Sequence, residues 1–278
     1  MKLGYNTNGL AHHRFDDAIA LIADAGYRSV AITVDHHCLD PSSASFRTDV
    51  ARMRALLERC DLSCVIETGA RFLLDPTQKH QPTLMSPSRE GRRWRLEFLS
   101  SCVDIASELN AEAVSFWSGT PRHDAPDQEH WRRLVDGCRR LVDIAEAKNV
   151  RLAFEPEPGM FIETCDMYAS LADAIGSPLF GLTLDVGHVH CLNDGTIPDR
   201  IRQFADRLWN VHIEDMRPGV HEHLPFGQGT IDFPPLFAAL REVGYQGGVH
   251  VELSRDSHRA PDALRESFAF LHPLLGEP

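Results

Sequence analysis

The chain has 278 residues, 43% of them hydrophobic and 24% charged, a make-up that supports a sizeable buried core and argues against a disordered chain. Its formal net charge of −12 repels polyanions, so nucleic acid and anionic membrane surfaces are disfavoured as partners unless a local basic pocket overrules the overall field. The opening MKLGYNTNGLAHH lacks the apolar stretch of a signal peptide, and no run approaches the roughly 20 apolar residues of a membrane span, so a cytoplasmic protein is expected.

Short β-branched or apolar runs alternate with longer stretches of helical period along the whole chain. In order, the pattern predicts a strand over 3–6, a helix over 15–25, a strand over 29–34, a helix over 46–60, a strand over 63–67 and a helix over 93–109. A strand over 113–117, a helix over 130–148, a strand over 151–155 and a helix over 167–175 follow, then strands over 181–185, 210–214 and 248–252 and a closing helix around 261–274. Gly26 and Gly244 each stand where a helix can stop in the left-handed conformation before the next strand. Repeated β-then-α units imply right-handed crossovers and a parallel sheet, and eight of them close most simply into a (β/α)₈ barrel, an α/β fold of one domain over 1–278. A doubly wound open sheet is the alternative, but no G-x-G-x-x-G follows the first strand. Seven cysteines without C-x-x-C spacing read as reduced, mostly buried thiols.

The longest connection runs from Thr68 to about Arg92 and carries Arg71, Lys79 and His80. Connections of that length serve as lids or binding loops about as often as plain surface excursions, and Arg71, nearest the strand end, is the one expected to reach a substrate.

Strand side chains alternate between faces, which sorts the residues of the last four strands. Leu152 and Phe154 oppose Ala153 and Glu155; Leu182 and Leu184 oppose Thr183 and Asp185; Val211 and Ile213 oppose Asn210, His212 and Glu214; Val249 and Val251 oppose His250 and Glu252. The apolar face must meet the helices, so Glu155, Asp185, His212 and Glu252 point inward at the C-terminal ends of their strands. Three confined carboxylates repel one another unless a cation or protons neutralise them. A divalent metal meets that need, and oxygen donors with one imidazole suit Mn²⁺, Mg²⁺ or Co²⁺, with Zn²⁺ also compatible. His250 faces inward but deeper, as a core histidine. Glu214 lies further along its strand, where a surface position or a supporting role behind the ligands is expected.

These residues resemble the xylose isomerase-like barrel superfamily of sugar isomerases and epimerases, which also includes metal-dependent apurinic endonucleases. The likeness rests on Phe154-Glu155-Pro156, Asp185-Val186-Gly187-His188, Val211-His212-Ile213-Glu214-Asp215, the turn Gly227-Gln228-Gly229-Thr230-Ile231-Asp232-Phe233, and Val251-Glu252. It implies that Glu155, Asp185, His212 and Glu252 hold the metal and that Glu155 and Glu252 double as the acid/base pair. It further implies that His188 touches substrate or a further metal, and that His223 matches an endonuclease ligand. Glu67 and His221 depart from the endonuclease pattern, which puts a trinuclear zinc site in doubt, while His36 or His37 keeps a second metal conceivable. The substrate-contacting set expected from sequence is therefore His188, Glu67, Arg71, Arg217 and His223.

The resulting expectation is a metal-dependent isomerase or epimerase of a sugar, sugar phosphate or related polyol, working by proton transfer through an enediolate. A dehydratase of a keto-polyol or cyclitol is the alternative, abasic-site phosphodiester cleavage a lesser one. The expected partner is a small sugar-like molecule, with no nucleic acid and no membrane, and a homo-oligomer is left open. Barrels often hold phosphate after strands seven and eight, where Arg217, Arg255, His258 and Arg259 lie.

Overall fold

The eight β/α units close on themselves in the computed structural model, which describes residues 1–69, 71–122 and 125–276, and closure leaves the sheet no free edge. The first half runs β1 (Lys2–Asn6), α1 (Phe15–Asp24), β2 (Ser29–Thr33), α2 (Phe46–Cys60), β3 (Ser63–Glu67), α3 (Arg89–Leu109), β4 (Val114–Phe116) and α4 (Asp127–Glu146). The second runs β5 (Leu152–Phe154), α5 (Cys165–Ile175), β6 (Phe180–Asp185), α6 (Val186–Leu192), α7 (Ile197–Gln203) and β7 (Leu208–Ile213). A hairpin of β8 (Asp215–Arg217) and β9 (Val220–Leu224) precedes α8 (Phe233–Glu242), β10 (Gly248–Val251) and α9 (Ala260–Leu271). The barrel order is β1-β10-β7-β6-β5-β4-β3-β2, closed and parallel throughout, so the open doubly wound sheet is excluded.

The ends of the elements follow local chemistry. α3 starts at Arg89, four positions ahead of the periodic pattern, because the Ser88 hydroxyl accepts from the Gly91 N–H at 3.0 Å and caps it. α4 starts early too, on Asp127, whose charge with that of Glu129 suits a helix N-terminus. Gly26 and Gly244 adopt φ of 101° and 67°, the left-handed stops expected of them.

The two faces of the strands separate as the alternation requires. Outward, Phe116, Phe154 and Phe180 pack edge to face and tilted at 5.2–6.1 Å between ring centroids, and Tyr168 of α5 stacks 6.2 Å from Phe180. Inward, a polar chain fills the barrel. Ser29 Oγ lies 2.9 Å from His250 Nε2, His250 Nδ1 lies 2.8 Å from Asn210 Oδ1, and Asn210 Nδ2 donates to Glu67 Oε1 at 3.0 Å. His250 is fully buried with both ring nitrogens satisfied, and burial lowers its pKa to about 3, so it stays a neutral core residue. Gly4 and Gly248 flank that ring, and a Cβ on either would overlap it. All seven cysteines are free thiols, and among the described residues no helix is long and apolar enough to cross a membrane.

The net negative charge is not evenly spread. Between α3 and α4 a groove of about 560 Å³ is lined by Arg89, Arg92, Arg93, Arg132, Arg133 and Arg140. Glu129 pairs with two of these, Asp136 with Arg140 and Glu97 with Arg93, and the groove shares no residue with the cavity at the barrel mouth.

Candidate active site at the barrel mouth

The C-terminal strand ends surround a cavity of about 460 Å³. Backbone bonding continues just past two strands to fix its acidic residues: the Glu155 N–H donates to the Phe116 carbonyl at 2.8 Å and the Glu252 N–H to the Ile213 carbonyl at 3.2 Å. Asp185 ends β6 and caps α6, its Oδ1 accepting from the His188 N–H at 2.9 Å. Its other oxygen, Oδ2, is buried and has no hydrogen-bond partner.

Glu155, Asp185, His212 and Glu252 each present a donor atom within 4.8 Å of the others. His212 Nδ1 lies 3.1 Å from Glu155 Oε1, 3.0 Å from Glu252 Oε2 and 4.0 Å from Asp185 Oδ2. On the far side of the ring, Nε2 lies 2.9 Å from Glu67 Oε1, so the polar chain from the barrel floor aims Nδ1 at the three carboxylates. The orphaned Asp185 oxygen and this hard donor set fit a divalent cation.

The charges here are mutually dependent. Burial, reinforced by Glu252 and Asp185 and opposed by His212, lifts the Glu155 pKa to about 8. Burial also opposes charge on Glu252, but His212, His223 and the amide of Asn8, 2.7 Å from Glu252 Oε1, hold this carboxyl below its ordinary range. Asp185 is lowered likewise, since His188, His223 and His212 outweigh its burial. His212 is raised because Glu67, Glu155 and Glu252 overcome the cost of burying an imidazolium.

Other expected residues arrive by different routes. His188 is buried, with Nδ1 3.1 Å from the Pro156 carbonyl, and burial lowers its pKa to about 4. The β8–β9 hairpin is anchored by Asp215, whose carboxylate accepts from the N–H groups of Gly227, Gly229 and Ile231 at 2.8–3.1 Å. This is the physical use of the Gly-Gln-Gly turn. The alternation of β9 then turns His221 and His223 to one side, with ring centroids 4.8 and 5.8 Å from His188. Glu67 lines the cavity, yet its carboxylate is committed to His212 and Asn210.

Arg71, His188 and His223 line the cavity; Arg217 does not, being exposed and donating to the Gln228 carbonyl at 2.8 Å. His36 and His37 cluster with Asp35 outside the cavity lining. Glu214 is not at the surface. It is fully buried behind the site, 3.7 Å from His223 Nδ1, both its oxygens unpartnered, and burial with Asp185 and Glu252 raises its pKa. Its strand direction predicted an inward course; the hairpin that covers it was not legible. Sequence reasoning also passed over Asn8, Glu157 and Trp117, all of which line the cavity. Glu157 carried a signal, standing two residues beyond Glu155 with a proline between, whereas nothing local marks Asn8.

The sequence profile described as xylose isomerase-like TIM barrel matches residues 19–274. L-ribulose-5-phosphate 3-epimerase UlaE of Shigella flexneri serotype 5b (strain 8401) is 23% identical over 248 residues, covering 89% of this chain and 84% of that protein. D-allulose 3-epimerase from Methylomonas sp. superposes with a TM-score of 0.79 at 21% identity, over 99% of this chain and 98% of that one. The IOLI protein, whose crystal structure holds a zinc atom, superposes with a TM-score of 0.75 at 18% identity, again over 99% and 98%. At these identities the structural likeness establishes the barrel fold.

Proposed function

The chain belongs to the xylose isomerase-like TIM barrel family, and on that premise we propose that it is a metal-dependent epimerase acting at carbon 3 of a ketose. The observation that carries this reading is the pair Glu155 and Glu252, which reach from β5 and β10, strands separated by β6 and β7, to within 3.1 and 3.0 Å of one imidazole nitrogen. Relatives named as 3-epimerases of L-ribulose 5-phosphate and D-allulose support the choice of carbon.

Glu155, Asp185, His212 and Glu252 would hold the cation, Mn²⁺, Mg²⁺ or Co²⁺ by donor type and Zn²⁺ also compatible. When bound, it supplies Lewis acidity to the neighbouring carbonyl and hydroxyl oxygens of the sugar. The chain's own residues then handle the proton. One glutamate removes it from carbon 3, leaving an enediolate, and the other returns a proton to the opposite face, which inverts the centre. His188, neutral and fixed through Nδ1, offers Nε2 to a sugar oxygen. Seven free thiols suit a reducing compartment, consistent with a cytoplasmic enzyme.

The test is to incubate the Mn²⁺-supplemented protein with L-ribulose 5-phosphate and D-allulose in D₂O and follow the products by NMR. Deuterium at carbon 3 together with the carbon-3 epimer is expected. Label at carbon 1 alone, or loss of water, would assign isomerisation or dehydration instead.

A second expectation concerns Glu67. Because its carboxylate orients His212 through Nε2, Glu67→Ala should weaken metal affinity by about 10–100-fold. Calorimetric titration with Mn²⁺ measures this, and unchanged affinity would show that Glu67 serves substrate rather than the ligand set.

A further inference from the structure

The cations around the cavity are unevenly engaged. After β7 and β10, where barrels commonly hold phosphate, the basic side chains are occupied. Arg255 Nη1 lies 2.9 Å from Glu222 Oε1, Arg259 pairs with Asp256 and Glu266, and Arg217 is bonded to the Gln228 carbonyl.

The connection between β3 and α3 is different. Arg71 and Lys79 both line the cavity, and among the described residues neither has a carboxylate at ion-pairing distance. The His80 N–H donates to the Arg71 carbonyl at 2.7 Å, which closes this loop on itself and brings Arg71 alongside Lys79 and His80. Arg95 of α3 adds a third cation. It is 2% exposed, its guanidinium carbon lies 4.6 Å from the centroid of the cavity residue Trp117, and its Nη1 has no hydrogen-bond partner. His80, 4.9 Å from the same ring, reports the local field. After burial, the strongest influences lowering its pKa to about 3 are Lys79, Arg95, Arg71 and Arg122, all cations. Glu157 lines the same cavity, but among the described residues it makes no ion pair with Lys79 or Arg71.

The cavity is therefore polarised, with a carboxylate cluster at one end and uncompensated cations at the other. Building on the epimerase reading, we propose that the Arg71–Lys79 end is a subsite for a phosphate monoester on the terminal carbon of the ketose. A phosphate carries about −1.5 to −2 charges near neutral pH, which matches two or three cations better than a single carboxylate would. The arginine fork fits its oxygens in a bidentate manner. The carboxylates repel the same group, so the polarity also sets direction: carbons 2 and 3 lie at Glu155 and Glu252 and the phosphate at the β3–α3 loop.

The experiment compares kcat/KM for L-ribulose 5-phosphate and free L-ribulose in the Mn²⁺-loaded full chain. Wild type should prefer the phosphate by about 100-fold or more, and Arg71→Ala or Lys79→Ala should each cut that ratio by about tenfold, with Arg71→Lys restoring part of it. A poorly folded variant lowers both substrates together and leaves the ratio unmoved. A wild-type ratio near one, a ratio insensitive to both alanine variants, or preference for a carboxylate-ended ketose overturns the proposal. Calorimetric titration with inorganic phosphate provides an arm that does not need turnover. Binding that Arg71→Ala weakens supports the subsite even if neither sugar is epimerised, in which case the epimerase reading alone fails. Absent or Arg71-independent binding counts against the subsite.

Discussion

In Glu252→Gln, interconversion of the carbon-3 epimers should fall by about 10²–10⁴-fold, with metal content close to that of the wild-type protein at saturating Mn²⁺. Glutamine keeps the volume and an oxygen donor, and Asn8, 2.7 Å from Oε1, still has an acceptor to bond. What it loses is basicity. Glu155→Gln should cause a loss of the same order, because inversion needs a proton carrier on each face. The two variants should then differ in a telling way: in D₂O each retains exchange at carbon 3 of only one epimer, and the retained epimer is opposite in the two. If both variants keep their metal and interconvert epimers at the wild-type rate, neither glutamate carries the proton and the mechanism is wrong even with the ligands correctly assigned.

Removing the metal should have the largest effect of all. Chelation is expected to abolish epimerisation, and Mn²⁺ or Co²⁺ to restore it, because three carboxylates around His212 Nδ1 cannot polarise a carbonyl by themselves. Asp185→Ala and His212→Ala should each weaken Mn²⁺ binding by more than Glu67→Ala does, since each deletes a donor atom rather than its support. His212→Ala additionally removes one of the buried partners of Glu67, leaving that carboxylate to Asn210 alone. Thermal denaturation offers a readout independent of turnover. A cation bound only by the folded protein stabilises it by about 2.7 kcal/mol at a concentration 100-fold above Kd, so Tm should climb with Mn²⁺ in wild type and stay nearly flat in both variants. Full activity in a rigorously metal-free sample would remove the metal from the reaction, and Mn²⁺ affinity unchanged from wild type in both variants would show that the ligand assignment is wrong.

The sequence by itself determined the barrel and the ring of ionisable side chains at its mouth, and for one reason: both follow from periods. Alternation at two residues separated Phe154 from Glu155 and Leu184 from Asp185, and eight β-then-α repeats close most simply into a barrel, so the rim of ionisable side chains could be read without coordinates. It did not determine what depends on the meeting of distant segments. Glu67 carries no local sign that it will hold His212, 145 positions away, or Asn8 that it will hold Glu252. Glu214 reads as the far end of a strand, and only the packing of α6 and the β8–β9 hairpin against it buries it. Charge behaves in the same way. Arg71, Lys79, Arg217 and Arg255 look alike along the chain, and tertiary packing alone decides which of them meet a carboxylate or carbonyl, as Arg217 and the cavity-lining Arg255 do, and which face the cavity without an ion-pairing carboxylate, because Coulombic pairing depends on distance in space and not on separation in sequence.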